Sequence, residues 1–466
     1  MEKRVDDLMM AYRIFESGAE LRRRRVRNKN FTYGRQWGEM VADPDGNRVT
    51  EGELASRSGK QPLTHNLVRQ LVKSVVGRWR YDNKKSGRVD DVAETIRRRN
   101  QLDELDSRAL EEFLISGCAI QRVVKEKRLD GEGVWVDNVS PARFFVNRYG
   151  DPRGGDIELI GMLHDMSLKE VIMRWGKGEK GRMEEIERIY RRYWSDGDYG
   201  ANGVPDEPDF FNAGAGRCRV IEVWTLESRG VLHCHDSNSG RMFMTEVGDT
   251  KRIAEINRKR SGESRGLIET RERQTLRWHC RYFAPSGEVL GEMDSPWGHS
   301  MHPFVVKMYP LTDGEVHSLV EDVIDQQRYI NRLVTLVDHV MSFSAKGVLM
   351  FPVEALPAGF NWDDVRSQWA RPDGIVPYLG TFGSKPEQVV GNGSDAGASN
   401  LLALEMKMME QVSGVTNALQ GQLPQAITSA EALRSSIENA TVSLLDLFES
   451  FESFRSIRNS RIKDID

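Results

Sequence analysis

The sequence predicts an α+β fold, because segments with strand character are grouped in the middle of the chain and helical segments lie on either side. Within residues 118–310, β-branched and aromatic runs are separated by Gly and Pro, as in 119–125, 134–139 and 304–308. Outside that region, apolar residues recur every three or four positions, which indicates amphipathic helices. The chain has 466 residues, which is long enough for two or three domains.

Three helical segments are predicted before the first of these strands. Residues 1–29 have a polar, helical pattern. Residues 62–77 place apolar side chains at intervals of four before Gly77, and glycine is favoured just after a helix. The third segment spans about 90–115, and Gly117 is expected to end it.

The first helix contains a basic run, in which five of the six residues from Arg22 to Arg27 are arginine. Such a run can be a solvated helix face or a flexible arm, or it can contact nucleic acid or a partner protein. The sequence leaves both interpretations open.

The last third of the chain has an order of its own. Residues 313–346 carry apolar side chains at i, i+3 and i+4, which predicts one amphipathic helix of about thirty residues, roughly 45 Å long. A module rich in Gly, Pro and Trp follows, with strands expected at 348–351 and 374–378. Next come a Met-rich helix over 400–412, with Ser399 as its N-cap, and a Gly/Gln/Pro loop.

A second long helix is predicted after that loop. Thr428 and Glu431 fit the capping box that opens many helices, and apolar residues continue on one stripe to about Phe454. Long amphipathic helices must bury their apolar stripe against something. This order therefore favours a protein that assembles with copies of itself.

Composition limits the range of partners. The formal charge is −4 and the isoelectric point is about 6.2, which argues against tight, static binding of DNA over a large surface. A surface that DNA slides past remains compatible with this charge.

The chain has no apolar run long enough for a membrane span, and its N-terminus lacks a signal-peptide core. Scattered cysteines are typical of reduced thiols in a cytoplasm, and they are Cys118, Cys218, Cys234 and Cys280.

No motif predicts catalysis, a metal or a cofactor. Gly176 and Gly181 have the spacing of a phosphate-binding loop, but Arg182 stands where that loop needs lysine, so an NTPase is disfavoured. His233 and His235 would share one face of a strand and Cys234 would point to the other, which does not bring four zinc ligands together.

Two polar or soft segments remain as candidates for contact. Met406, Met408 and Met409 fit either packing between helices and subunits or an adaptable surface at a moving contact. The segment from Gln420 to Gln425 places three neutral amides in a Gly/Pro loop. It is either an ordinary helix connection or a loop that touches a passing polymer without strong charge attraction.

Motifs spread over residues 30–458 resemble bacteriophage portal proteins, particularly those of short-tailed, P22-like phages. The order and spacing of the motifs carry this resemblance, because no single motif is diagnostic alone. In chain order they are NFTYGRQW (30–37), THNLVRQLVKSVVG (64–77), NVSPARFFVN (138–147), HPFV (302–305), DVIDQQRYINRLVTLVDHVM (322–341), SAKGVLMFP (344–352), SGVTNALQGQ (413–422) and TSAEALRSSIENA (428–440).

The resemblance implies a portal-type fold with named regions. Residues 1–312 would form a mixed α/β wing and 313–346 the first stem helix. A small α/β clip would span 347–397, and the second stem helix 398–412. A tunnel loop would follow at 413–427, and then a long C-terminal wing helix with a short crown remnant at 428–466.

The resemblance also implies roles for particular residues. Gln327, Arg328, Asn331 and Arg332 would be polar residues of the stem, left for the bore of a ring. Trp362 and Trp369 would build the clip or its docking surface, or else pack in its core. The tunnel loop would present Asn417, Gln420, Gln422 and Gln425 to DNA.

The function implied by the resemblance is mechanical. A homo-oligomeric ring, usually dodecameric, would occupy one capsid vertex of the virion after assembly in the bacterial host cytoplasm. Double-stranded DNA would pass through it during packaging and ejection. The terminase large subunit, a head–tail adaptor, and capsid and scaffold proteins would be partners, with no membrane, cofactor or catalytic residue. The alternatives are another virion structural or adaptor protein, or less favourably a DNA-processing enzyme, which would need clustered carboxylates for metal ions.

Overall fold

The chain is mixed α/β and divides into two units. The computed structural model describes residues 2–86, 92–128, 131–196, 208–214, 216–262, 265–297, 301–344, 348–351, 356, 359–370, 387–389, 395–415 and 442–466. The large unit comprises Met1–Lys29, Val72–Glu321 and Gly421–Asp466. The small unit comprises Asn30–Leu71 and Asp322–Gln420.

Helices flank a strand-rich centre, as the sequence predicts. The α-helices are α1 (Glu2–Ser17), α2 (Ala19–Thr32), α3 (Glu51–Arg57), α4 (Leu67–Ser86), α5 (Glu94–Asn100), α6 (Leu102–Ser116), α7 (Leu168–Trp175), α8 (Lys180–Asp196), α9 (Thr250–Gly262), α10 (Ile324–Ser344), α11 (Trp362–Ala370), α12 (Asp395–Ser413) and α13 (Leu445–Ile465). The strands are β1 (Met40–Ala42), β2 (Arg48–Thr50), β3 (Cys118–Arg128), β4 (Gly131–Asn138), β5 (Phe144–Val146), β6 (Leu159–Met166), β7 (Cys218–Asp236), β8 (Arg241–Glu246), β9 (Ile268–Phe283), β10 (Val289–Asp294), β11 (Phe304–Met308), β12 (Val348–Met350) and β13 (Glu387–Val389).

The large unit is built on two antiparallel sheets. The larger has the order β10–β9–β7–β6–β5, with β8 paired to the far end of β7, and the smaller has the order β11–β3–β4. Alternation along β7 serves both faces, because Val220 and Trp224 join one apolar cluster while Ile221 and Val223 join another. The first cluster includes residues of α7, α8 and β11, and the second includes residues of α1. The strand predictions for 119–125, 134–139 and 304–308 are confirmed.

A buried carboxylate ties the two sheets together. Glu222 on β7 is fully buried and lies 3.4 Å from the guanidinium of Arg122 on β3 and 2.6 Å from His164 Nε2 on β6. Trp224 Nε1 also donates to it at 2.7 Å. Burial alone would raise the pKa of Glu222, but Arg122 and His164 together lower that pKa to about 2. The carboxylate is therefore ionised and fully engaged in structure.

The C-terminal helix α13 is held by a second buried ion cluster. Asp106 of α6 accepts from Arg455 Nε at 2.9 Å and from Arg458 Nη1 at 2.7 Å, and the side chains of Asp106 and Arg458 are 1% and 0% exposed. Phe451 on the same helix packs edge-on against Trp79 of α4, with ring centroids 5.5 Å apart. Charge pairing and aromatic packing thus fix α13 on the large unit.

Several predicted helix boundaries are wrong, each for a local reason. The helix predicted to end at Gly77 continues to Ser86. Among the described residues, no atom beyond the helix's own backbone lies within 4 Å of the position that a Cβ would take at Gly77, so this residue is an ordinary position inside the helix. The segment predicted as one helix over 90–115 contains α5 and α6, which are separated where Gln101 adopts a left-handed conformation with φ 50°. Its predicted end at Gly117, with φ 71°, is confirmed.

The long helix predicted from residue 313 begins at Ile324 instead. Leu311 and Asp313 have positive φ, and two short 3₁₀ turns, Thr312–Gly314 and Glu321–Val323, precede α10. The helix therefore has 21 residues. A sequence signal for the later start was present, because Ser318 and Glu321 form reciprocal side-chain to backbone hydrogen bonds of the capping-box type.

Elements of the last third follow the predicted order in part. The strand at 348–351 and the helix that carries Trp362 are confirmed as β12 and α11. Helix α12 begins at Asp395, so Ser399 lies inside it and is not its N-cap. The strand predicted at 374–378 and the capping box at Thr428 lie outside the described residues.

We predict that Asp106→Ala destabilises the large unit by about 3–5 kcal/mol, because it leaves two buried guanidinium groups without their shared carboxylate. Urea unfolding followed by far-UV circular dichroism measures the change. The matched control is Asp103→Ala in the same helix, where the carboxylate is 69% exposed and pairs with Arg97. The control should lose less than about 1 kcal/mol. Equal losses in the two variants would contradict the prediction.

Candidate functional site

The polar face of α10 is buried inside the small unit. Gln327 and Asn331 are 0% and 2% exposed, although both are neutral amides on a long helix. Gln327 Oε1 accepts the backbone N–H of Leu67 at 2.9 Å and of Val68 at 3.2 Å, and its amide nitrogen donates to His65 O at 2.8 Å. These contacts give the first N–H groups of α4 the acceptors that a helix start lacks.

Asn331 extends the same network by one turn. Its Oδ1 accepts the backbone N–H of His65 at 3.0 Å and the side-chain amide of Gln327 at 3.0 Å. Its Nδ2 donates to Gln36 Oε1 at 2.5 Å. Two amides one helical turn apart on α10 therefore hold two separate parts of the N-terminal segment 30–71.

Two arginines on α10 bind the same segment through charge. Arg332 places Nη2 2.6 Å and Nε 2.7 Å from Glu51 Oε1. Arg328 pairs with Glu39, and its guanidinium lies 5.8 Å from the ring centroid of Phe31. All four residues that were expected to be left for a bore contact residues 30–71 of the same unit. Two of them, Gln327 and Asn331, are not at the surface of the chain.

The NFTYGRQW and THNLVR motifs meet in this network. Gln36 Nε2 donates to Phe31 O at 2.6 Å and to Asn66 Oδ1 at 3.1 Å, while Trp37 Nε1 donates to Leu63 O at 3.2 Å. Asn66 also accepts the backbone N–H of Arg69, so it caps α4. Their hydrogen bonds thus give both motifs a structural role in the small unit.

The solvent-facing stripe of α10 includes Arg332 but none of the other three residues. Asp325, Tyr329, Arg332 and Leu336 follow one another at three- or four-residue spacing, and all four are exposed. Tyr329 is 39% and Leu336 is 40% exposed. Helix α10 also packs against α12 within the small unit. The exposed stripe of α10 therefore mixes charged residues with large apolar ones.

The clip candidates are described only in part. Trp362 is 45% exposed and packs edge-on against Phe351 with centroids 5.9 Å apart, while Val365 on the same helix is buried. Trp369 lies in α11, but its side chain is outside the described set. The tunnel candidates lie wholly outside the described residues, and they are Asn417, Gln420, Gln422 and Gln425.

The basic run of the first helices divides between structure and surface. Arg22 is buried, donates to Phe15 O and lies 3.6 Å from the centroid of the Phe15 ring. Arg25 forms a bidentate ion pair with Glu112, in which Nε donates to Oε1 at 2.7 Å and Nη2 donates to Oε2 at 2.8 Å. Arg23 and Arg27 are exposed. Arg22 and Arg25 therefore fit neither interpretation of the run, and both interpretations stay open for Arg23 and Arg27.

The described residues contain no group of three or more His, Cys, Asp or Glu that could hold a metal ion. His233 and His235 are half-buried, whereas Cys234 is buried in an apolar cluster on the opposite face of β7. Burial raises the pKa of Cys118 and of Cys218 to about 12, so both thiols stay protonated near neutral pH. Among the described helices, none is both long and apolar enough to cross a bilayer.

The chain thus combines an α+β unit with a second unit in which the helices α10 and α12 flank a small two-stranded sheet, β12–β13. The family model for the phage P22-like portal protein matches residues 11–458, so the chain belongs to that family. No curated protein matches the chain.

Membership of the P22-like portal family implies a general role, an assembly and a location for the chain. The family is structural, and it implies a head-to-tail connector that takes part in DNA packaging. It also implies a capsid-associated oligomeric assembly at the portal vertex of the virion.

We predict that Gln327→Ala loosens the N-terminal segment of the small unit, because the N–H groups of Leu67 and Val68 lose their acceptor. Limited proteolysis should cleave residues 30–66 about tenfold faster, since a loss of about 1.4 kcal/mol raises the open population tenfold. Asp338→Ala on the exposed side of α10 is the matched control and should leave the rate unchanged. Equal cleavage rates in Gln327→Ala and the wild type would show that the network does not hold the segment.

Proposed function

We propose that the chain forms a closed ring, with about twelve copies as the portal resemblance implies, and that double-stranded DNA passes through its centre. The observation that carries this proposal is an uncovered apolar stripe on α12. Leu404, Met408 and Val412 stand at i, i+4 and i+8, and they are 52%, 39% and 45% exposed.

A second copy of the chain is the occupant that best fits this stripe. Fully burying one such side chain contributes about 1.5–3 kcal/mol, so three in a row favour a contact that removes them from water. Leu336 and Met341 on α10, which packs against α12, are also exposed at 40% and 56%. Stem helices that pack on the stems of neighbouring copies would cover both sets.

The charge of the chain suits a wall that DNA slides past. Each chain carries −4, so a ring of twelve would carry about −48. Net repulsion of phosphates disfavours a DNA molecule that sticks within the channel. Neutral amides at Asn417, Gln420, Gln422 and Gln425 would contact DNA in the tunnel without strong charge attraction.

The module between α10 and α12 would provide the docking surface. Trp362 is half-exposed beside Phe351 on a helix with the acidic residues Asp363 and Asp364. An exposed aromatic residue is a frequent anchor in protein interfaces. We assign this clip as the contact for the terminase large subunit during packaging and for the head–tail adaptor afterwards. Capsid and scaffold proteins would contact the wing.

Electron microscopy of the purified protein tests the ring directly. Class averages viewed down the symmetry axis should show closed rings of about twelve subunits with a central hole. A stable monomer or dimer at high protein concentration would overturn the proposal.

We predict that Leu404→Glu combined with Met408→Glu breaks the ring into smaller species, because buried carboxylates in an apolar contact are costly. Mass photometry at micromolar protein should show loss of most of the ring population. The matched control is Met173→Glu combined with Met242→Glu, since these methionines are 77% and 80% exposed and lie on α7 and β8. The control should form rings like the wild type. Persistence of rings in the α12 variant would assign the contact elsewhere.

A further inference from the structure

A basic module stands out from the charge of the rest of the chain. The far halves of β7 and β9, together with β8 and α9, enclose a small apolar cluster of their own. Residues 229–277 contain eleven Lys or Arg and seven Asp or Glu, a formal charge of +4, although the whole chain carries −4. Positive charge is therefore concentrated in this module, whose buried cluster is formed by Leu232, Cys234, Ile253 and Ile268.

One face of α9 attaches the helix to the module. Ile253 is buried in the cluster, and Asn257 exchanges two hydrogen bonds with the backbone of Ile268 at 2.8 and 2.9 Å. Arg260 pairs with Asp236 through contacts of 2.6 and 3.2 Å. Hydrogen bonding to Arg260 lowers the pKa of Asp236 well below its usual range, so this pair stays charged near neutral pH. Of the five cations on the helix, one is thus used to hold it in place.

The opposite face of α9 presents the other four cations. Lys251, Arg252, Arg258 and Lys259 are all exposed, and with Glu255 they occupy an arc of about 120° around the helix. They form two pairs two turns apart, roughly 10 Å along the axis. Within the part of the chain that the structure describes, no hydrogen bond or ion pair joins these four side chains to the protein. We name them the α9 basic face.

We propose that the α9 basic face binds the phosphate backbone of double-stranded DNA. The exposed large apolar residues of the described chain include none on α9, whereas the centre of a protein–protein interface is depleted of charge and enriched in apolar side chains. Interfaces with DNA are instead polar and strongly positive. A family that acts in DNA packaging brings duplex DNA to the protein in any case.

The expected binding is weak and independent of sequence. Lysine and arginine contacts to phosphates release counterions, so affinity falls steeply with salt, and four contacts give only part of a specific site. The basic face would hold DNA at the surface of the protein without reading bases. Such a contact does not require DNA to enter a channel.

Covalently closed, relaxed circular DNA distinguishes binding at the α9 basic face from binding inside a channel, because a circle cannot thread through a protein ring that is already closed. The full-length protein should bind the circle in filter-binding titrations between 50 and 200 mM salt. Replacing Lys251, Arg252, Arg258 and Lys259 together by Gln should weaken binding at least about tenfold at 100 mM salt. The slope of log affinity against log salt should fall by about 3.6, since each of the four lost phosphate contacts removes about 0.9.

The matched control removes four exposed cations from another part of the large unit. Lys169, Lys177, Lys180 and Arg188 are replaced by Gln, so both variants lose the same charge. This control should bind like the wild type, and both variants should keep the wild-type melting temperature and ring population. Preserved rings with lost binding to the circle would separate this inference from the proposed ring.

Three results would overturn the inference. The wild type could fail to bind the circle, or the α9 variant could bind it unchanged, or both variants could lose affinity equally. Polyglutamate serves as the competing polyanion. If the wild type binds polyglutamate more tightly than circular DNA, the face is a site for an acidic protein segment instead.

Discussion

The small unit depends on the burial of two amides on α10. A buried Gln or Asn has both donors and acceptors to satisfy, and leaving them unpaired costs about 1–3 kcal/mol for each group. Gln327 and Asn331 obtain their partners from His65, Leu67 and Gln36. Since a shift of α10 by one residue would break these bonds together, the network fixes both the register of the helix and the path of segment 30–71.

In the large unit, buried carboxylates fix the positions of helices and strands in the same way as the buried amides do in the small unit. Asp106 joins α6 to α13 across about 350 positions of sequence, and Glu222 joins the two sheets. Apolar packing supplies the driving force in both places, but apolar contacts tolerate small shifts. A carboxylate shared by buried guanidinium groups tolerates few, because an unpaired buried charge is strongly destabilising. Buried ion clusters of this kind therefore select one arrangement of the helices and strands, whereas hydrophobic burial alone would allow several arrangements of similar free energy.

The sequence predicted the α+β class and the central strands because their period and turn residues are local signals. It misplaced the start of α10, since Asp313 is left-handed and Glu315 is extended at the beginning of a helix-like apolar pattern. It also assigned Gln327 and Asn331 to a bore. A helical pattern shows which residues share a face, but it does not show what covers that face when the covering segment lies some 260 to 295 positions away. The tunnel residues stay predictions.

Net charge is a weak guide to what a large chain can bind, and α9 shows why. A total of −4 argues against a surface that grips DNA everywhere, yet screening limits each phosphate to charges within about a Debye length, roughly 8–10 Å. A phosphate beside Lys251 and Arg258 therefore meets a local cluster, with acidic residues elsewhere in the chain largely screened. The proposed channel wall that repels DNA and the proposed DNA contact on α9 are thus compatible in one protein. The channel wall would let DNA move through the ring, and the α9 basic face would bind DNA at the surface of the protein.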